Sequence, residues 1–152
     1  MSTRANIIIN DNYDKLYFYR HSDGYPKGTV PTLRKFLNLI KQGKIRNNIS
    51  QASGWLVILG AEEYKHNQIT RLENVNSWDD LTEEEQKTWD NKISSYPKNW
   101  KVGAYEPTNN LHGDIEYLYT VNIETLEICI SSVQCNHGSD TQHFTKLTNI
   151  KL

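Results

Sequence analysis

The stretch RANIIINDNYDKLYFYR, residues 4–20, contains two apolar runs on either side of a turn. Arg4 to Asn10 includes three consecutive isoleucines, as in a strand. In the second run, Leu16, Phe18 and Arg20 alternate with Tyr17 and Tyr19, which is the period of a second strand. The residues between, Asp11 to Asp14, favour a turn. We therefore predict a β-hairpin at the start of the chain.

The middle of the chain has the pattern of helices. Pro31 suits a first helical turn, Gly43 suits a helix end, and a single apolar stripe lies between them: Leu33, Phe36, Leu37 and Ile40. A second helix is predicted over about residues 50–64. Its run from Trp55 to Leu59 is apolar on all sides, so a buried strand there is the alternative.

A polar stretch and a third helix follow. Residues 65–80 are polar and irregular and predict a long connection. Thr82 and Glu85 have the spacing of a capping box, in which each side chain bonds the other residue's backbone amide. Trp89 and Ile93 are expected on one face of that helix, and Pro97 is expected to end it.

The last third of the chain has strand patterns. Residues 100–106 are one candidate, and two later segments show alternation around a turn at residues 122–125. The alternating apolar positions are Ile115, Tyr117, Tyr119 and Val121, then Leu126, Ile128 and Ile130. Strands at both ends predict one α+β domain over residues 1–152, with a mainly antiparallel sheet and two to three helices packed on one face.

Composition excludes several classes of protein. The 152 residues are 37% hydrophobic and 23% charged, with a net charge of −1, so no bulk nucleic-acid binding is expected. No segment has the length of a membrane span or the core of a signal peptide. Two cysteines do not make a disulfide framework. We expect a soluble protein of the cytoplasm that needs no membrane.

Tyr19 to Pro26, YRHSDGYP, combines turn residues with side chains suited to binding. The guanidinium of Arg20 fits phosphate or carboxylate, His21 titrates near neutral pH, and Tyr25 can stack on a ring. These groups suit an anionic ligand with an aromatic portion. The alternative is a tight turn in which Asp23 bonds backbone amides, a positive φ falls on Gly24, and Arg20 pairs with a surface carboxylate.

Arg4 is predicted to join this bend. It begins the first strand of the hairpin and Arg20 ends the second, so the two guanidinium groups are expected to converge near His21. Like charges held together need an anion or a carboxylate between them. A bound phosphate and the carboxylate of Asp23 are the two alternatives.

A second group of similar residues lies in the segment 100–114. Tyr105 precedes His112-Gly113-Asp114, and Tyr105, His112 and Asp114 are candidate ligand-binding residues. If this segment faced the bend, His112 and Asp114 would form the other wall of a pocket able to support acid–base chemistry. The alternative is a glycine-rich loop that caps a strand.

Other chemistry has little support. Cys129, Cys135, His137 and His143 lack the close cysteine pair of a zinc finger, so we expect no metal. No serine-nucleophile elbow, phosphate-binding loop or dinucleotide fingerprint is present, and we expect no cofactor. We name no catalytic residue and favour binding over catalysis.

On these motifs the chain resembles a loose group of small proteins encoded by bacteriophages and prophages. The resemblance is carried by Met1 to Ala5, Tyr19 to Pro26, Gly103 to Pro107 and His112 to Tyr117. It brings no catalytic residue with it. It implies a phage accessory protein in the bacterial cytoplasm, of a kind that counteracts host defence by sequestering a nucleotide signal or by binding a defence protein.

Three hypotheses follow from the sequence. The first is a non-catalytic binder of a small, anionic, nucleotide-like ligand. The second is an inhibitor that binds a host defence protein through an aromatic surface, because the chain has nine tyrosines and four tryptophans. The third is a small hydrolase that acts on a nucleotide through His21 with Asp23, or His112 with Asp114. Assembly of several copies is left open.

Overall fold

A computed structural model of the protein describes residues 2–92, 104–135 and 142–152. Its strands and helices are β1 Ala5–Asn10, β2 Lys15–Arg20, α1 Pro26–Lys41, α2 Ile49–Glu73, a 3₁₀ helix Trp78–Asp80, α3 Glu83–Lys92, β3 Glu106–Thr108, β4 Tyr117–Asn122, β5 Glu127–Cys135 and β6 Gln142–Lys151.

The strands form one sheet in the order β3-β2-β1-β4-β5-β6. β1 and β2 pair as the predicted antiparallel hairpin, with Ala5 opposite Arg20 and Asn10 opposite Lys15. β1 and β4 pair in parallel, while the other neighbours are antiparallel. The parallel pair follows from the helices that separate these strands in the chain, since parallel strands need a long crossover connection. The predicted α+β class with a mainly antiparallel sheet is confirmed.

One face of the sheet carries the core. Ala5, Ile7 and Ile9 of β1 are fully buried there beside residues of α1 and α2. The predicted stripe of α1 is buried as expected: Leu33, Phe36, Leu37 and Ile40. Each such side chain contributes about 1.5 to 3 kcal/mol when it is fully removed from water. α3 has no buried residue, and it attaches to α2 through Lys65–Asp90 and Trp89–Glu73 contacts.

The prediction for the start of α1 is wrong, whereas that for its end is confirmed. The helix begins at Pro26, and Pro31 lies inside it. A proline does occupy the first turn, but it is Pro26 and not Pro31. The residues between the two prolines are already helical. Gly43 follows the helix with φ +72°, and its amide donates to the carbonyl of Ile40 at 3.0 Å. This conformation suits glycine.

α2 is longer than predicted. It runs from Ile49 to Glu73, so the alternative strand at residues 55–59 is wrong, and so is the predicted connection where it covers residues 65–73. This last stretch is polar because most of it faces solvent, with Ile69 buried. Asn74, with φ +56°, ends the helix in the left-handed conformation. None of the described helices has both the length and the apolar character needed to cross a membrane.

The remaining predictions have mixed outcomes. The capping box is present: the Thr82 amide donates to Glu85 at 3.1 Å, and the Glu85 amide donates to Thr82 at 3.2 Å. Asn122 accepts from two amides in the turn before β5. Ile93, Pro97 and residues 100–103 lie outside the described residues. β3 covers only Glu106–Thr108 of the segment that follows.

Candidate functional site

The bend between β2 and α1 is tied to the start of β1. The Gly24 amide donates to the Thr3 carbonyl at 2.9 Å, and the Gly24 carbonyl accepts from the Tyr119 hydroxyl at 2.7 Å. A Cβ atom on Gly24 would lie 2.9 Å from backbone atoms of Thr3 and Arg4, so glycine is required by close approach. The positive φ expected at Gly24 instead falls on Asp23, at 55°.

Arg20 lies at the centre of this bend and is buried. Its Nε donates to the carbonyls of Ser22 and Asp23, at 2.9 and 3.1 Å, and Nη2 donates to the Gly28 carbonyl at 3.3 Å. Nη1 and Nη2 also bind the two carboxylate oxygens of Glu63 on α2. Arg20 therefore has a carboxylate partner, as in the turn alternative, although the partner lies on a helix that the sequence did not connect with it.

The Arg20–Glu63 pair joins four parts of the fold. Glu63 also accepts from the Thr32 hydroxyl of α1 at 2.7 Å, and the guanidinium lies 5.1 Å from the centre of the Tyr105 ring. Burial lowers the pKa of Arg20, but the hydrogen bonds with Glu63 outweigh it and raise this pKa above its ordinary value. The side chain of Arg20 is only 3% exposed, so it acts as a structural tie and is covered from a ligand.

Arg4 lies on the opposite face of the sheet, so the prediction that Arg4 and Arg20 converge is wrong. The hairpin register places Arg20 opposite Ala5, one residue away from Arg4. Because neighbouring residues of a strand point to opposite faces, this offset separates the two guanidinium groups. The Nε of Arg4 lies 3.3 Å from the Asp114 carboxylate.

His112 and Asp114 surround Tyr19 on that same opposite face. The ring of Tyr19 stacks on His112 at 3.9 Å between centroids, and its hydroxyl donates to Asp114 at 3.1 Å. Burial, followed by the Asp114 hydrogen bond, raises the pKa of Tyr19. The His112 amide donates to Asn6 at 2.7 Å. The sequence left open whether His112 and Asp114 form the second wall of a pocket with Arg20, and the structure places neither residue in a cavity that Arg20 lines.

Tyr105 is part of the core. Its side chain is 2% exposed and packs against Gly60 of α2, where an added Cβ atom would overlap the ring. Burial raises the pKa of Tyr105. The Tyr105 ring therefore packs against the guanidinium of Arg20 inside the protein, and it does not reach the surface as a ligand-binding side chain. Ala104 and Glu106, which flank Tyr105 in the chain, line a cavity beside the bend.

A cleft of about 820 Å³ lies between α1, α2 and the 3₁₀ helix. Asp23 and Tyr25 of the predicted site line it, as does the Arg20–Glu63 pair. None of the other charged and aromatic residues of the cleft was named from the sequence: Lys27, Lys35, Glu62, His66, Arg71, Trp78 and Asp79. A prediction that α2 continues to residue 73 would have placed its lining residues together, because they recur every three or four residues on one face of the helix.

Two cations of this cleft have no acidic partner in the described part of the chain. Lys35 lies 3.6 Å from Glu62, but no carboxylate among residues 2–92, 104–135 and 142–152 lies within 4.0 Å of Lys27 or Arg71. Lys27 lies in the first turn of α1 and Arg71 in the last turn of α2. Both are exposed and are therefore accessible to an anion.

Flat rings form a further part of the cleft. His66 stacks on Trp78 with 4.3 Å between ring centroids and 1° between ring planes. Burial lowers the pKa of His66, which favours its neutral form at pH 7. Tyr25 is 40% exposed at the cleft, and its hydroxyl lies 3.4 Å from Asp23. Such surfaces can stack on an aromatic ligand.

A smaller cavity of about 410 Å³ lies on the other side of α2. His21 and Ser22 of the bend line it together with Tyr64, Gln68 and Ala104. It shares a set of residues with the larger cleft: Arg20, Asp23, Glu63, Asn67 and Arg71. His21 and Asp23 line cavities, and no hydrogen bond joins the two side chains among the described contacts. Their predicted role in ligand binding stays a prediction.

The structure describes only part of the cysteine and histidine group that the sequence analysis considered for a metal. Cys129 of β5 lies between Thr120 and Asn149 on the neighbouring strands, and His137 lies outside the described residues. Within residues 2–92, 104–135 and 142–152, no group of three or more His, Cys, Asp or Glu side chains could hold a metal ion.

No protein-family model, curated protein or solved structure matches this chain.

Proposed function

We propose that this protein binds a small, anionic, nucleotide-like ligand in the cleft between α1 and α2 and releases it unchanged. The observation that carries the proposal is the pair of accessible cations, Lys27 and Arg71, in a cleft of about 820 Å³. This size lies within the range of small-molecule sites, about 300 to 1,000 Å³. The proposed site does not use Arg4 or Arg20 to bind the ligand, because each of these arginines is paired with a carboxylate of the protein.

The mixed charge of the cleft favours a nucleotide over a simple anion. Phosphate oxygens suit Lys27 and Arg71, whose charge-assisted hydrogen bonds are stronger than neutral ones. Asp23 and Asp79 line the same cleft and accept hydrogen bonds from amino and hydroxyl groups. A nucleotide has both kinds of group, whereas inorganic phosphate at neutral pH offers few donors.

The aromatic groups support the same ligand class. A base can stack on the His66–Trp78 pair or on Tyr25, since base–aromatic stacking contributes about 1 to 3 kcal/mol per base. We keep binding without turnover as the preferred hypothesis, and among residues 2–92, 104–135 and 142–152 no ion pair joins a histidine to an aspartate of the cleft. The ring of His112 is packed on Tyr19 at the opposite face of the sheet.

In the setting that the resemblance to phage proteins implies, such binding would remove a nucleotide signal of the host from the bacterial cytoplasm. The physical contacts support binding of the ligand class, and the resemblance alone supports this biological role. Direct inhibition of a host defence protein is the competing role. It would need no contribution from Lys27 or Arg71.

The test is isothermal titration calorimetry with nucleoside monophosphates, dinucleotides and cyclic nucleotides. The double variant Lys27→Ala/Arg71→Ala should weaken binding by about a hundredfold or more, because each of the two charge-assisted hydrogen bonds contributes about 1.5 to 3 kcal/mol. The matched control is Lys41→Ala/Arg46→Ala, which removes the same charges from exposed positions outside the cleft. It should bind as the wild type does.

Three results would contradict the proposal. Wild-type protein that binds none of these compounds would leave inhibition of a host protein as the surviving hypothesis. Equal losses in the two double variants would show that general charge, and not the cleft, drives binding. Chromatography of the ligand after incubation should recover it intact, and a product that disappears with His21→Ala would support the hydrolase hypothesis instead.

A further inference from the structure

One stripe of α2 lies between the two cavities and belongs to both. It consists of Glu63, Asn67 and Arg71, which are spaced four residues apart and therefore lie above one another on the helix. At a rise of about 1.5 Å per residue, the stripe is about 12 Å long. We call these three residues the ridge of α2.

The two flanks of the ridge face different cavities. His66, one residue before Asn67, lines the larger cleft, as does Thr70. Tyr64 and Gln68, each one residue after a ridge position, line the smaller cavity. Successive helical residues are rotated by about 100°, so the flanks must point to opposite sides of the ridge. The division into two cavities is thus built into the helix.

The ridge provides polar groups between two aromatic surfaces. Glu63 is occupied by Arg20. Arg71 has no acidic partner within 4.0 Å in the described ranges, and Asn67 is exposed beside it. The His66–Trp78 stack lies on one flank, and Tyr64 with its hydrogen-bonded neighbour Gln68 lies on the other. A cation therefore separates two places where a base can stack.

We infer that the ligand of this site is a dinucleotide, with its linking phosphate on Arg71 and one base in each cavity. The inference rests on the proposed function and adds the number of bases and the position of the phosphate. A mononucleotide would fill only one of the two cavities, of about 820 and 410 Å³. Joining two bases makes the second contact intramolecular, which strengthens binding without a new kind of contact.

The experiment compares adenosine 5′-monophosphate, linear adenylyl-adenosine and cyclic di-adenosine monophosphate by calorimetry on the full chain. At least one of the two dinucleotides should bind about tenfold or more tightly than the mononucleotide. Trp78→Ala and Tyr64→Ala should each reduce dinucleotide affinity to about the mononucleotide level. Tyr13→Ala is the control, because Tyr13 is 90% exposed and lines neither cavity.

The outcomes separate this inference from the proposed function. If the mononucleotide binds as tightly as both dinucleotides, or if Tyr64→Ala leaves dinucleotide affinity unchanged, the inference is overturned while the proposed function stands. If none of the three compounds binds and the wider nucleotide panel also fails, both are overturned. Circular dichroism of each variant checks that a loss of affinity does not come from unfolding.

Discussion

Replacing Glu63 by glutamine should destabilise the fold strongly, although it changes only one atom of the side chain. Glu63→Gln leaves the buried charge of Arg20 without a carboxylate, with only backbone carbonyls as full partners. Removing one member of a buried ion pair costs about 3 to 5 kcal/mol. We expect the lower end, about 3 kcal/mol, because Glu63 is 14% exposed and glutamine keeps one oxygen acceptor.

The neighbouring residue gives a matched control. Glu62 makes an ion pair with Lys35 in which the side chains are 44% and 55% exposed. Exposed pairs contribute at most about 1 kcal/mol, so Glu62→Gln should cost less than that. Both variants remove one negative charge from the same helix. The difference between them therefore measures what the buried pair with Arg20, together with the Thr32 hydrogen bond, adds beyond the loss of one charge.

Urea denaturation followed by circular dichroism measures both costs. For a chain of this length, a loss of about 3 kcal/mol lowers the melting temperature by about 6 to 12 °C. In a double-mutant cycle, Arg20→Met with Glu63→Met should cost less than the sum of the single changes, because no charge is left unpaired. If Glu63→Gln is no more destabilising than Glu62→Gln, the argument that Arg20 depends on this carboxylate is wrong.

Two further predictions concern α2. Gly60→Ala should cost about 1 to 3 kcal/mol of folding stability, because its Cβ atom would overlap Tyr105. Gly54→Ala, which meets no atom within 4 Å, should instead stabilise the helix by about 0.5 to 1 kcal/mol; thermal denaturation that gave both the same sign would contradict this contrast. His66 has a pKa lowered from 6.5 by burial in the folded state, so the unfolded chain binds more protons and stability should fall as the pH drops below about 6.5. The pH dependence of the free energy of unfolding should be shallower in His66→Gln, and an unchanged slope would contradict the assignment.

The two arginines show how far sequence reasoning reached. Their positions at the ends of a predicted hairpin were correct, since Arg20 ends β2 and Arg4 directly precedes β1. Which face each side chain takes depends on the register, and a shift of one residue reverses it. The pairing of Ala5 with Arg20 puts the two arginines on opposite faces. Their local sequence carries no information about that choice.

The candidate site changed for a related reason. Asp23, Tyr25 and His21 were predicted from local turn chemistry, and they do line the cavities. Lys27 was missed because the start of α1 was placed at the wrong proline. Arg71 was missed because the polar end of α2 has no apolar stripe to mark it as helical. In each case the helix extends over residues whose pattern alone does not favour it.

The sequence by itself determined the α+β class, the opening hairpin, the buried stripe of α1, the capping box of α3 and the turn before β5. Each of these depends on residues close together in the chain, whose spacing directly indicates the periodicity of a helix or strand, or the presence of a cap. Only the tertiary structure decided that Arg20 binds Glu63, that Tyr105 lies beneath it, and that α2 separates two cavities. These contacts join residues far apart in the chain, so they exist only after α2 packs against the sheet.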